Sequence, residues 1–339
     1  EVTQIKGDGE THPLLSPNDE FADYERWDVS NLSGTAPKEQ WMLEYEYARS
    51  ALKMGLKLGK ELGVNPYKFG LIGTTDSHTA LATSREENYF GKYQHTEPSP
   101  ERHGRDVIPA EDPALRILTA QEVASGLMAV WARENTRPEL FDAMKRKEVY
   151  ATTGTRIRVR VFGGWDFAAD EVFHTDFVAR GYLRGVPMGG DLRKAPDGKS
   201  PTFMIRSLRD PDGANLDRVQ VIKGWLDDDG KTHERIYDVA VSGGREIGED
   251  GRAREPVGNT VDIDNATFTN TIGSTTLATV WSDPDFDPGQ VAFYYVRVLE
   301  IPTPRWTTYD AAFYDIPLPE SVPPTIQDRA YTSPIWYTP

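Results

Sequence analysis

The segment "LIGTTDSHTA", residues 71–80, places a carboxylate and an imidazole one residue apart, directly after an apolar pair that is typical of a short buried strand. In extended backbone, residues i and i+2 point to the same side, so Asp76 and His78 can approach one point. A carboxylate and a neutral imidazole are suitable ligands for Zn, Mn or Fe(II). The pair therefore indicates part of a metal site. A plain helix N-cap at Asp76 is the alternative interpretation.

The opening of the chain contains a second acid-x-His pair. The stretch "GDGETHP" places Glu10 and His12 just after an alternating run that is typical of a strand. Two such pairs at the ends of two parallel strands would meet at one edge of a sheet. We therefore predict that Glu10, His12, Asp76 and His78 are metal ligands. His12 is alternatively a general acid or a substrate contact, and Glu10 alternatively belongs to a solvated acidic loop.

Three cationic residues are candidates for binding a tetrahedral anion. Arg156 lies in "TTGTRI", Arg305 lies in "PTPRW", and Lys6 ends the first predicted strand. A guanidinium group suits such an anion because it donates two parallel hydrogen bonds. We predict that all three bind substrate, and that Arg156 and His12 take part in catalysis. Surface or structural ion pairs are the alternative for each cation.

The first 156 residues alternate strand and helix patterns. Residues 1–6 and 68–74 are predicted strands, and residues 38–62 between them show helical periodicity. A strand, a helix and a strand at these lengths predict a parallel pair. Capping-box spacings at Thr119 and Thr136 predict two further helix starts.

From residue 157 onward the apolar residues recur with period two. "RIRVRVF", "RVQVIKGWL" and "VAFYYVRVLEI" are strand candidates separated by turn-rich pieces such as "DPDGAN". This pattern predicts an antiparallel β-sandwich over residues 157–301. Residues 302–339 are rich in proline and aromatic residues, which predicts an irregular tail that packs back on the first part.

Composition and charge narrow the class of protein. The 339 residues contain 38 Lys and Arg against 53 Asp and Glu, a net charge of -15. Such a field repels nucleic acid and anionic lipid, and no apolar run approaches the ~18 residues that a membrane span needs. The chain has no cysteine, so thiolate metal sites are excluded. An anionic substrate would need a local positive feature.

Longer blocks carry a resemblance to a known family. "IKGDGETHPLLSPNDEFADYERWD", "GTTDSHT", "LEIPTPRWTTYDA" and "RAYTSPIWYTP" resemble a bacterial domain-of-unknown-function family allied to the polymerase-and-histidinol-phosphatase (PHP) superfamily. The resemblance implies the C-terminal part of a distorted (β/α)7 barrel with two or three Zn, Mn or Fe ions and phosphoester-type hydrolysis. Related sequences begin with a His-x-His strand, which is absent here. We therefore expect that a missing N-terminal segment carries that strand.

These patterns together predict a metal-dependent hydrolase of phosphate or sulfate esters, with a small anionic ester as substrate and a metal-activated water as nucleophile. Two alternatives stay open. One is a non-catalytic carbohydrate- or protein-binding module on an inactive PHP-like scaffold, and the other is a metal-dependent amidohydrolase. We expect a periplasmic or secreted location, although the sequence contains no signal segment.

Overall fold

Two antiparallel sheets packed face to face dominate the computed structural model, which describes all residues 1–339. The strands are β1 (Thr3–Gln4), β2 (Gly7–Asp8), β3 (Asp106–Ile108), β4 (Ile117–Leu118), β5 (Leu127–Val130), β6 (Val149–Thr152), β7 (Arg158–Gly164), β8 (Gly185–Pro187), β9 (Asp191–Arg193), β10 (Thr202–Leu208), β11 (Leu216–Leu226), β12 (Thr232–Val241), β13 (Thr276–Ser282), β14 (Ala292–Glu300), β15 (Thr303–Pro304), β16 (Thr325–Ile326), β17 (Arg329–Thr332) and β18 (Ile335–Thr338). The α-helices are α1 (Ala48–Leu62), α2 (Arg137–Lys145), α3 (Phe177–Arg184) and α4 (Trp306–Tyr314). None of these helices has the length and apolarity that crossing a bilayer requires.

The large sheet has the strand order β12-β11-β14-β17-β6-β5, with β18 paired to both β14 and β9. The small sheet has the order β13-β10-β7-β8. Alternate residues of β7 and β11 face the space between the sheets, and Val159, Val161, Val219 and Val221 meet there in the largest apolar core. The period-two pattern of these strands is therefore the pattern of a sandwich with one buried face.

The expectation of the C-terminal part of a distorted (β/α)7 barrel is wrong. A barrel needs a crossover helix between each pair of parallel strands. Among the named strands only β9 and β18 pair in parallel, and the chain has four α-helices. The period-two strands pair antiparallel whether they are chain neighbours, as β11 and β12 are, or distant, as β7 and β10 are, so they close no parallel barrel.

One local parallel pairing does occur at the start of the chain. Residues 2–5 and 72–75 run side by side, with hydrogen bonds from Val2 N to Ile72 O (2.8 Å) and from Thr74 N to Thr3 O (3.1 Å). Helix α1 connects these two segments. The predicted helix over 38–62 is interrupted, because residues 40–45 form a 3₁₀ helix and α1 starts only at Ala48.

The two capping-box predictions have different outcomes. Helix α2 begins directly after Thr136, as predicted. Thr119 starts only a 3₁₀ turn, which is followed by β5 instead of a helix. Strand β5 pairs with β6 across four residues, so sheet hydrogen bonds replace the predicted helix there.

The prediction of an irregular C-terminal tail is also wrong. Helix α4 and strands β15 to β18 fall within residues 302–339, and β17 lies inside the large sheet between β14 and β6. Trp306, Tyr331 and Trp336 are almost fully buried. Tyr331 and Trp336 are buried because β17 and β18, which carry them, complete the large sheet, whereas Trp306 begins α4 and packs against Ile5 and Tyr89.

A buried ionic cluster joins the N-terminal loop to the large sheet. Arg297 on β14 donates to Asp19 (2.6 Å) and to Glu10 (3.0 Å), and Arg49 on α1 binds the same two carboxylates. The Tyr295 hydroxyl also contacts Glu10. Two guanidinium groups balance two carboxylates, so the cluster is charge-matched although its side chains are excluded from solvent. Burial alone would raise the pKa of Asp19, but Arg297 and Arg49 outweigh burial and hold it well below its usual range.

Replacing Arg297 by glutamine should destabilise the fold by about 3–5 kcal/mol, because it leaves buried carboxylates without a counter-charge. Urea unfolding followed by circular dichroism measures this loss. Arg235 on β12 is the matched control, since it pairs with Asp285 at the surface. Arg235→Gln should cost about 0–1 kcal/mol. Equal losses in the two variants would contradict the role of the buried cluster.

Candidate functional site

The two parallel N-terminal segments end beside each other at Lys6 and Asp76. Ile5 N donates to Thr75 O (3.3 Å) in the last hydrogen bond of this pairing. The residues that follow, Lys6 and Asp76, therefore lie at the same end of the two segments. Lys6 Nζ contacts Asp76 Oδ2 there. The end of a parallel strand pair is where α/β structures place ligands, and this edge therefore marks the candidate site.

A second lysine approaches the same carboxylate from the long segment that follows. Lys92 Nζ lies 2.6 Å from Asp76 Oδ2 and 2.7 Å from the Asp76 carbonyl oxygen. His78 Nε2 lies 3.3 Å from Asp76 Oδ1 and 3.4 Å from Lys92 Nζ. Lys6, Asp76, His78 and Lys92 thus form one cluster, which we call the lysine–aspartate–histidine cluster.

The backbone of Asp76 is held in an unusual conformation. Its φ is 51°, in the left-handed region that non-glycine residues rarely adopt, although aspartate tolerates it better than most. The amide of His78 donates to Lys92 O (2.9 Å), which ties the turn to the segment that carries the second lysine. Strained backbone of this kind concentrates at functional sites.

The charges of the cluster are only partly shielded from water. The Lys92 side chain is 3% exposed, whereas those of Asp76 and His78 are 26% and 51% exposed. Burial would raise the pKa of Asp76, but hydrogen bonds from Lys6 and Lys92 lower it to about 2. Burial lowers the pKa of Lys92, and the hydrogen bond to Asp76 opposes that shift. The cluster therefore holds two ammonium groups against one carboxylate, and His78 and Asp76 form its accessible side.

A buried acid and a tyrosine stand behind this cluster. Tyr93 packs edge-on against the His78 ring, with centroids 5.1 Å apart. Glu122 is fully buried and accepts a hydrogen bond from the Tyr89 hydroxyl (2.5 Å). Burial raises the pKa of Glu122 to about 7, although the hydrogen bond from Tyr89 and the charge of Lys92 act against it. Glu122 is thus poised to gain or lose a proton near neutral pH.

The cluster offers a metal ion too few ligands. A protein metal site uses three or four ligands, and the residues here supply one carboxylate and one imidazole. Lys6 and Lys92 hold the same carboxylate oxygen, where their charge repels a cation. No group of three or more His, Asp and Glu side chains has the arrangement of a metal site anywhere in the structure. These residues alone do not fit the expected two- or three-metal centre.

Glu10 and His12 lie in other surroundings. Glu10 belongs to the buried ionic cluster with Arg49 and Arg297, and it makes no hydrogen bond with the lysine–aspartate–histidine cluster. Both ring nitrogens of His12 have partners: Nδ1 accepts from the amide of Leu14 (3.1 Å), and Nε2 lies 2.9 Å from Asp28 Oδ2. Neither side chain is free to bind a metal here.

The two predicted arginines are also outside the cluster. The Arg156 side chain is exposed, and only its amide is fixed, by Asp210 Oδ2 at 2.8 Å. Arg305 is fully buried and forms a two-pronged pair with Glu25, at 2.9 Å for both contacts. Arg305 Nη2 also donates to the carbonyl oxygen of Glu122 (2.7 Å), so it positions the segment around Glu122. Of the three predicted cations, only Lys6 reaches the candidate site.

Lys92, Tyr93 and Glu122 escaped the sequence analysis. Lys92 and Tyr93 lie in "ENYFGKYQ", a stretch without periodicity, and one lysine between aromatic residues gives no chemical signal by itself. Glu122 lies three residues after Thr119, the spacing of a capping box, which favours a purely structural interpretation of this acid. The aromatic residues in this stretch are the one sequence feature that favours an ordered segment here over a disordered loop.

This chain is therefore a β-sandwich protein with an N-terminal α/β layer that carries a cationic cluster. It belongs to the family described as "Protein of unknown function (DUF3604)", whose model matches residues 1–339. A comparison with curated proteins found no match.

Asp76→Asn should lower stability by about 1 kcal/mol at pH 7, because it leaves two ammonium groups without their counter-charge. The folded-state pKa of Asp76 lies below its ordinary value, so its contribution is present above about pH 4 and is lost as the pH falls toward 2. Denaturant unfolding of both proteins at pH 7 and pH 3 measures the difference. A gap that stays constant, or widens at pH 3, would contradict the assigned charges.

Glu122→Gln should flatten the pH dependence of stability. The folded-state pKa of Glu122 is raised from 4.5 to about 7, so its contribution is full below about pH 4.5 and is lost as the pH rises through about 7. The wild-type protein should therefore lose more stability than the variant between pH 4.5 and 7.5. Thermal melts across this range provide the measurement, and parallel curves would show that Glu122 does not titrate there.

Proposed function

We propose that the lysine–aspartate–histidine cluster binds and hydrolyses phosphate or sulfate esters of small molecules. One observation carries this proposal: two lysine ammonium groups converge on Asp76, with the His78 imidazole 3.3 Å from the same carboxylate. In a chain with a net charge of -15, this local excess of positive charge favours an anionic ligand.

Lys6 and Lys92 would bind the non-bridging oxygens of the ester. Their ammonium groups would also stabilise the negative charge that develops as the bond to the leaving oxygen breaks. Because Lys92 is almost fully buried, its charge is poorly screened by water and acts strongly on a bound oxyanion. Both lysines thus have the same role, which is to bind the ester oxygens and to stabilise the negative charge that develops on them.

His78 would act as the general base, with Asp76 orienting its ring. When Nε2–H donates to Asp76, the other ring nitrogen, Nδ1, holds the lone pair that accepts a proton from water. The water oxygen then forms the new bond to phosphorus or sulfur while the ester P–O or S–O bond breaks. His78 returns the proton to the leaving oxygen, so the imidazole ends each cycle neutral.

A metal-dependent form of the proposal keeps Asp76 and His78 as two ligands. Further ligands would have to come from outside the cluster, such as a segment with a His-x-His strand. The proposed kinship with the PHP superfamily now depends on motifs such as "GTTDSHT", since the barrel is not the fold of this chain.

The two alternatives have weaker support. A carbohydrate-binding role for the aromatic tail would need exposed rings, yet Trp306, Tyr331 and Trp336 are buried. Amide hydrolysis would use the same histidine and carboxylate. However, a neutral amide makes less use of two ammonium groups than a charged ester does.

The test compares hydrolysis of 4-nitrophenyl phosphate and 4-nitrophenyl sulfate by wild type, Lys92→Met and His78→Gln. Lys92→Met should lower kcat/KM by about 10²-fold or more, because it removes a charge aimed at the transition state. His78→Gln should lower kcat, because it removes the group that accepts the proton from water. Lys57 is exposed on α1, so Lys57→Met is the matched control and should leave the rate unchanged.

Each assay is run with chelator and with added Zn²⁺ or Mn²⁺. Turnover in chelator supports the metal-free form of the proposal. Turnover that needs metal and disappears in Asp76→Asn supports the metal-dependent form. No turnover of either ester under any condition, or equal rates for Lys92→Met and wild type, would contradict the proposal.

A further inference from the structure

The outer face of the small sheet carries three arginines close together. Arg158 and Arg160 alternate along β7, so their side chains emerge on the same face. Arg206 on β10 lies directly opposite Arg160 in the antiparallel register. Like charges directly opposite each other destabilise a sheet, and in this chain negative charges outnumber positive ones by 15.

Two of these arginines, Arg158 and Arg206, have no acidic partner, whereas the third, Arg160, does. Arg160 lies 3.4 Å from Glu148 and 2.5 Å from the Tyr182 hydroxyl. The Arg206 guanidinium lies over the face of Phe177, 4.8 Å from the ring centroid, and neither Arg206 nor Arg158 forms an ion pair with a carboxylate. The cationic charge of this face is therefore unbalanced within the protein.

The arginines line a cavity that also has apolar walls. Its volume is about 310 Å³, and Trp131, Phe177 and Leu208 contribute the apolar part of the lining. The Trp131 indole is held by a hydrogen bond from Nε1 to Val159 O (3.0 Å), and Arg160 stacks on it at 4.3 Å. A volume of this order suits a small molecule, and rigid rings beside guanidinium groups suit a flat apolar body with an anionic group.

We propose that this cavity, the arginine pocket, is a binding site for a small organic oxyanion. A sulfate, sulfonate, phosphate or carboxylate group would accept hydrogen bonds from Arg158 and Arg206, while its apolar body would lie against Trp131. The pocket is built from the small sheet, the start of α3 and the residue that follows β5, and it shares no residue with the lysine–aspartate–histidine cluster. It does not depend on the proposed hydrolysis.

Isothermal titration with naphthalene-2-sulfonate tests this proposal, with neutral naphthalen-2-ol and inorganic sulfate as comparison probes. Wild type should show one saturable event with the sulfonate that persists in Lys92→Met. Arg206→Gln should weaken it at least tenfold, and Arg158→Gln should weaken it as well. Arg193 is exposed and unpaired on β9, so Arg193→Gln is the matched control and should bind like wild type.

Thermal melts separate lost binding from lost folding. Without ligand, Arg206→Gln should melt at or above the wild-type temperature, because it removes a like-charge pair across β7 and β10. If Arg206→Gln melts at a lower temperature than wild type, the sulfonate affinity of Arg158→Gln decides the test, because the Arg158 side chain is exposed. Any of three results would overturn the proposal. The first is equal sulfonate affinity in wild type and Arg158→Gln, and the second is equal affinity for the sulfonate and the neutral naphthol. The third is loss of binding only in Lys92→Met.

Discussion

Two buried arginines hold the N-terminal loop against the large sheet, and the placement of the candidate site depends on them. Arg49 and Arg297 come from α1 and β14, whereas their carboxylate partners, Glu10 and Asp19, both lie in the loop. A buried charge without its partner is far costlier than a matched pair, so this loop has one favourable position. That position fixes the segment just before the loop, which ends at Lys6.

The opposite side of the site depends on a second set of buried ion pairs. Lys92 lies in a long segment without α-helix, and Arg102 of the same segment pairs with Asp310 on α4 (2.7 Å) while its guanidinium lies 4.5 Å from the Trp306 ring. Helix α4 therefore holds the segment that supplies the second lysine. The tail acts here as a structural clamp, and Trp306, the first residue of α4, is buried within it. Two clamps made of arginine and carboxylate thus bring two lysines to one aspartate.

The sequence predicted the local chemistry of the site better than its surroundings. Asp76 and His78 are two positions apart in one turn, so their proximity follows from local backbone geometry. The partners Lys6 and Lys92 are separated from Asp76 by 70 and 16 residues, and tertiary packing brings them together. Glu10 and His12 resembled ligands by spacing, but burial beside Arg49 and Asp28 gave each a different partner. Periodicity cannot reveal such choices, because it reports burial and not the identity of the neighbour.

The fold shows the same division between local and long-range information. The period-two pattern identified long strands such as β7, β11 and β14, and α1 and α2 followed from helical periodicity and spacing. A resemblance over short motifs suggested a barrel, yet strand pairing depends on contacts between distant segments, such as β17 with β14 and β6. "RAYT" and "IWYT" each contain only four residues, too few for a clear strand signal before their partners are known.

A crystal structure with bound orthovanadate tests the central claim most directly, because vanadate resembles the oxyanion of a phosphoryl transition state. The account predicts density for the anion at the accessible edge of the lysine–aspartate–histidine cluster, with both Lys6 Nζ and Lys92 Nζ about 2.7–2.9 Å from its oxygens. Vanadate density that contacts neither lysine, or a Lys92 side chain that points away from Asp76, would contradict it.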